Sequence, residues 1–109
     1  MAEYVQVATT TDSAEEATRL ARGMVEARLA ACAQVVGPVE SFYWWEGRVE
    51  SDNEWQVQAK TTGERLAELE VYIRERHSYD VPEIVATPIV GGSEEYLSWL
   101  GSETSPAAG

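Results

Sequence analysis

The chain has 109 residues, 19 of them acidic and 8 basic, which gives a formal charge of −11. That length fits one domain around one core, and the sign of the charge excludes nonspecific binding to nucleic-acid phosphates or to anionic membrane surfaces. Cys32 is the single cysteine, so an intrachain disulfide and a Cys-x-x-Cys zinc knuckle are excluded, and no run approaches the ~18 apolar residues of a membrane span.

Tyr4-Val5-Gln6-Val7-Ala8 alternates and predicts a short strand, broken by Thr9-Thr10-Thr11-Asp12. The start lacks the basic and apolar pattern of a secretory leader, which predicts a cytoplasmic protein. Ser13 and Glu16 have capping-box spacing, and a helix is expected over 13–30. Its apolar positions Ala17, Leu20, Ala21, Met24 and Val25 share one face. Gly23 weakens a helix interior by about 1 kcal/mol, so close packing against a neighbour is expected there. From Ala33 to Thr62 the period becomes two. Gly37-Pro38 predicts a bend or bulge, and Glu46-Gly47 a tight turn between two long arms. The arms are long for so small a core, so the tip is expected to project beyond it.

A second helix is expected over 63–77, with Leu66, Leu69 and Ile73 as its stripe and His77 next in the row. Pro82 disfavours helix at the residue before it. Ile84 to Val90 is nearly all apolar and predicts a strand buried on both faces. After Gly91-Gly92, Ser93 is expected to cap a short helix to Leu100, and 102–109 a disordered tail.

The order β-α-β-β-α-β is the ferredoxin-like arrangement, an α+β fold with a four-stranded antiparallel sheet and both main helices on one face. A single domain over 1–101 is expected. The other face would expose Tyr4, Gln6, Gln56, Gln58 and Lys60 beside apolar residues of the last strand. A partly apolar sheet face and four tryptophans predict self-association.

Five segments carry a family resemblance: Arg28-Leu29-Ala30-Ala31-Cys32, Tyr43-Trp44-Trp45-Glu46-Gly47-Arg48, Lys60-Thr61-Thr62, His77-Ser78-Tyr79-Asp80-Val81-Pro82-Glu83-Ile84, and Tyr96-Leu97-Ser98-Trp99-Leu100. In that order they resemble the divalent-cation tolerance protein family CutA. The resemblance implies a cytosolic homotrimer whose sheets pack edge to edge and whose hairpins reach across subunits, with an architecture similar to PII signalling proteins. It implies a non-enzymatic role in divalent-metal tolerance: binding of ions such as copper or zinc, then signalling to a partner. It also matches Thr9 and Arg76 to positions where some members carry a cysteine and a second histidine.

Thiolate, imidazole and carboxylate suit borderline-soft divalent ions, which makes Cys32, His77 and Glu83 the metal candidates. With one histidine in the chain, a site with several imidazoles needs several copies. Cys32 equally suits a small buried hydrophobe, and His77 a helix end, where a cation is favoured. The resemblance also implies that Lys60, Tyr79, Trp45 and Glu83 gather near a cleft between subunits, either for a small anion or metabolite as in a PII-like sensor, or as an ion pair and packed aromatics that support the assembly. Gly-x-Ser-x-Gly, P-loop and Gly-x-Gly-x-x-Gly motifs are all missing, and a Cys-His pair has nothing in the sequence to bring it together.

Overall fold

The computed structural model describes residues 3–106. Strand β1 spans Tyr4–Thr11, helix α1 Ala14–Glu26, β2 Cys32–Trp45, β3 Arg48–Thr62, α2 Leu66–Arg76, β4 Val85–Pro88 and α3 Glu94–Glu103, with one 3-10 turn at Gly63–Arg65. The sheet order is β2-β3-β1-β4, and every pairing is antiparallel. This is the ferredoxin-like arrangement expected from the sequence.

Alternation sets the two faces of the sheet. Val5 and Val7 of β1 pair with Thr61 and Ala59 of β3 and bury toward the helices. There they meet Ala17, Leu20, Ala21 and Met24 of α1 and Leu69 and Ile73 of α2. The α1 stripe read from the sequence is therefore its core face. Ser13 caps α1 by accepting the Glu16 amide at 3.1 Å. Gly23 does lie against a neighbour: a Cβ there would sit 2.1 Å from the Tyr72 hydroxyl.

Four boundaries before α3 differ from expectation, each for a local reason. β1 runs on through Thr9, Thr10 and Thr11, all buried, because threonine is β-branched and suits a strand. α1 stops at Glu26 instead of residue 30. The Arg28 amide bonds to the Val25 carbonyl at 3.0 Å and the Leu29 amide to Met24 at 3.0 Å, with Arg28 at φ 63°. That is a Schellman termination with arginine in the place usually held by glycine, so the sequence carries no stop signal. α2 is preceded by a 3-10 turn and ends at Arg76, with His77 as its C-cap.

The fourth difference is β4. It covers only Val85–Pro88 and is exposed along its length, although Ile84 to Val90 reads as a strand buried on both faces. It is an edge strand paired only to β1, and Val85 and Val90 are 49% and 96% exposed. Among the described residues nothing covers them.

The sheet face away from α1 and α2 is partly covered, by α3. A Cβ at Gly101 would lie 3.7 Å from the Tyr4 hydroxyl, and Tyr96 of α3 bonds to Cys32 of β2 at 3.4 Å. Residues 102–106 do not match a disordered tail. Ser102 and Glu103 belong to α3, Thr104 is buried, and Glu103 pairs with Arg28 at 2.5 Å. Residues 107–109 of that expected tail lie outside the described residues.

The β2–β3 hairpin projects, as the arm lengths predicted. β1 pairs with β3 only as far as Trp55, so Val39–Trp45 and Arg48–Glu54 form a two-stranded arm, about 24 Å long at the usual rise per residue. Glu46 and Gly47 turn it at φ 48° and 81°, both in the left-handed region of a primed hairpin turn. The register shifts between Val36 and Val39, where Gly37-Pro38 predicted a bulge. A Cβ at Gly37 would lie 2.6 Å from Trp55 Cδ1 and 3.1 Å from the Glu54 carbonyl. Gly37→Ala is expected to lower stability by roughly 1–3 kcal/mol through this overpacking, measured as a lower urea midpoint.

Candidate functional site

The side chains singled out in the sequence fall in four places. The first is a row across the sheet on the α3 side. Lys60 of β3 stands between Cys32 of β2 and Gln6 of β1, and Gln6 pairs on with Thr87 of β4. The Cys32 thiol is half-buried and bonds to the Tyr96 hydroxyl. That bond, followed by burial, raises the Tyr96 pKa above the ordinary 10. Tyr96 and Trp99 lie 5.5 Å apart at their ring centres, both half exposed beside this row. Lys60 forms no ion pair among the described residues.

The second place is a buried polar knot where α2 ends. The His77 side chain is wholly buried. Its Nε2 lies 2.7 Å from the Thr10 carbonyl and its Nδ1 3.0 Å from the Tyr79 amide. A carbonyl only accepts and an amide only donates, so Nε2 carries the proton and Nδ1 is the acceptor. Both nitrogens are engaged, and a metal ion would have to displace one bond. Glu16 faces the same knot. Its carboxylate accepts from the Ser78 amide at 2.8 Å and the Ser78 hydroxyl at 2.7 Å, and lies 3.6 Å from His77 Nδ1. Burial opposes its charge, but the two bonds from Ser78, helped by the positive charge of Arg19, outweigh it and hold the carboxyl below its usual 4.5.

Tyr79 leaves the knot in another direction and donates to Glu54 of β3 at 2.8 Å. Burial, that bond and nearby carboxylates push its phenol well above the ordinary range. The third place is the hairpin arm. Trp45 sits at its tip opposite Arg48. Phe42, Trp44 and Trp45 are 67%, 74% and 61% exposed, and Tyr43 donates to Asp52 across the arm. The fourth is Glu83, exposed in the segment between α2 and β4.

One chain therefore does not gather either constellation. Cys32 and Lys60 share the sheet row, His77 and Tyr79 the knot, and Trp45 and Glu83 stand apart. Among the described residues no group of three or more His, Cys, Asp or Glu is placed to hold a metal ion, so within a single chain the residues do not fit a metal centre. Thr9 is buried in the core and Arg76 lies 3.9 Å over the Tyr72 ring. Sequence reasoning missed Glu16, taken only as a capping-box residue. Its carboxylate turns to Ser78 and not back to the cap. The available signal was its place four residues before Leu20, in the buried row of α1.

Residues 5–103 match the family model described as CutA1 divalent ion tolerance protein. The chain is 42% identical over 100 residues to Protein CutA, chloroplastic, from Arabidopsis thaliana, covering 92% of this chain and 55% of that protein. It therefore spans about half the length of that relative. It is 43% identical over 95 residues to the Divalent-cation tolerance protein CutA of Thermus thermophilus, covering 87% and 92%. The solved structure described as the periplasmic divalent cation tolerance protein CutA from Archaeoglobus fulgidus superposes with a TM-score of 0.90 at 37% identity, covering 94% of this chain and 99% of that one.

These names overturn the expected cytoplasmic location, since one relative is chloroplastic and another periplasmic. None of the described helices is long and apolar enough to cross a membrane. The relatives' names speak of divalent-cation tolerance and not of a catalysed reaction. By sequence over nearly its whole length and by fold, the chain belongs to the CutA1 divalent ion tolerance protein family.

Proposed function

We propose that the protein is a non-enzymatic homotrimer that binds divalent metal ions such as copper or zinc at sites completed between subunits, as part of divalent-cation tolerance. The observation that carries this reading is the projecting arm with Phe42, Trp44 and Trp45 exposed. A two-stranded ribbon is marginal by itself in water, and aromatics of that size concentrate in interface cores. Exposed β4 and the Tyr96–Trp99 pair add apolar surface to the same need. A divalent ion needs several ligands, which the described residues of one chain do not assemble, so the ligands would meet across a boundary.

Cys32 and Glu83 are the proposed ligands that a neighbouring copy can reach. His77 takes part only by giving up its bond to Thr10 or Tyr79, and its first role is to hold the knot. The −11 charge of each chain draws cations toward the assembly but does not select among them. Calorimetry with Cu²⁺ and Zn²⁺ tests the reading. The wild type is expected to bind at least one of them, and Cys32→Ser or Glu83→Gln to weaken binding by about tenfold or more. Absence of heat with both ions, or affinity unchanged in both variants, contradicts it. The unpaired Lys60 ammonium beside Gln6 and Cys32 favours a second reading: a PII-like site for a small anion, using Lys60, Tyr79 and Trp45 from adjoining subunits.

A further inference from the structure

The charge of the chain is strongly negative, yet one surface groove reverses it. Between α1 and α2 lies a concavity of about 430 Å³ bordered by Arg19, Arg22, Gly23, Glu26, Tyr72 and Arg76. Three of the eight basic side chains of the protein stand around it, against one carboxylate on its rim. That carboxylate, Glu26, is already engaged by Arg22 at 3.3 Å. Arg19 forms no ion pair within 4 Å among the described residues, and its charge acts on Glu16 only from a distance.

The groove is also built in a definite order. Gly23 gives up a side chain in the middle of α1, and the Tyr72 hydroxyl occupies the space, 2.1 Å from where a Cβ would be. The tyrosine ring is thereby fixed across the gap between the helices. Arg76 lies on that ring, 3.9 Å from its centre, and donates to the Tyr72 carbonyl at 3.5 Å. Its other ion-pair contact is Glu75 at 3.7 Å. The exposed pairs Arg22–Glu26 and Arg76–Glu75 are weak and exchangeable. Guanidinium groups bind clustered anionic oxygens through paired, charge-assisted hydrogen bonds. Salt screens charges beyond about 8 Å at physiological strength, so this local cluster, and not the net charge, sets what binds there.

We infer that the α1–α2 groove bordered by Arg19, Arg22 and Arg76 is a binding site for a small multivalent oxyanion, a metabolite bearing phosphates or several carboxylates. The inference is independent of the metal reading and of the assembly, because every residue it uses lies on one chain and away from the hairpin.

Calorimetry in about 0.15 M salt, with inorganic pyrophosphate in one arm and citrate in the other, tests it on the full chain. The wild type is expected to bind at least one probe, and the preferred probe identifies phosphate or carboxylate as the recognised group. Arg19→Ala and Arg76→Ala are each expected to weaken binding by about tenfold or more. Tyr72→Leu keeps all three charges and removes the platform, and a similar loss is expected, which a merely diffuse positive field would not show. Arg48→Ala, at the hairpin tip, is expected to bind as the wild type does. No heat with either probe at millimolar concentration overturns the inference, as does an equal loss in Arg48→Ala.

Discussion

Glu16→Ala is expected to lower the unfolding free energy by roughly 2–4 kcal/mol, among the largest effects of any single substitution outside the apolar core. Glu16 is only 3% exposed, and its carboxylate satisfies the Ser78 amide and hydroxyl at 2.8 and 2.7 Å. Truncation removes the acceptor of both Ser78 bonds and unties the segment after α2 from α1. It also removes the carboxylate nearest His77, whose own bonds hold Thr10 and Tyr79. Urea titration at fixed protein concentration measures the loss. A midpoint equal to that of the wild type would show that the knot is not a unit of stability.

The same carboxylate gives the effect a pH signature. Its pKa in the folded chain lies below the usual 4.5, so the folded state binds its proton less readily than the unfolded state. The stabilisation is then fully present above the unfolded value and is lost as pH falls through the folded one. Glu16→Gln keeps an acceptor for the Ser78 amide and removes the charge. Its stability deficit against the wild type is expected to be constant from pH 7 to about pH 5.5 and to shrink below about 4.5. A deficit that grows on acidification would contradict the assignment.

The second large effect concerns the arm. Trp44→Ser combined with Trp45→Ser is expected to cost at least about 4 kcal/mol of association free energy, near a thousandfold in dissociation constant. Both indoles are mostly exposed in the single chain, and neither belongs to the buried core around α1 and α2. Their loss should leave the far-ultraviolet spectrum of the protomer intact and shift its mass downward on dilution. Retention of the wild-type mass at all concentrations would place the contacts elsewhere. An unfolded spectrum would mean that the arm is needed to fold the protomer, and would contradict its assignment to assembly alone.

The fold was largely legible because its signals are local. The 3.6 periodicity of Ala17, Leu20, Ala21 and Met24, the cap at Ser13, the Glu46-Gly47 turn and the long alternating arms each have a nearby physical cause. Errors arose where the cause was non-local or lacked its usual residue. α1 ends at an arginine in the left-handed region, with no glycine to announce it. β4 reads as buried because its residues are apolar, but it lies at the sheet edge and is exposed along its length. The small polar residues of the tail read as disordered, while Thr104 and Glu103 are held by contacts with Leu100 and Arg28.

The candidate site was less legible for the same reason. Residue types nominated Cys32, His77 and Glu83, but only geometry shows that both nitrogens of His77 are spent within the chain. Composition likewise yields only the net charge of −11 and not its distribution. The pairing of Gly23 with Tyr72, which seats Arg76 beside Arg19 and Arg22, depends on how α1 and α2 meet.

Assembly is the claim on which the metal reading depends, since the described residues of one chain do not complete a metal site. Multi-angle light scattering of the wild type at micromolar concentration tests it most directly. The account predicts a single species of three times the 12.0 kDa chain mass, and a species of 12.0 kDa would contradict it.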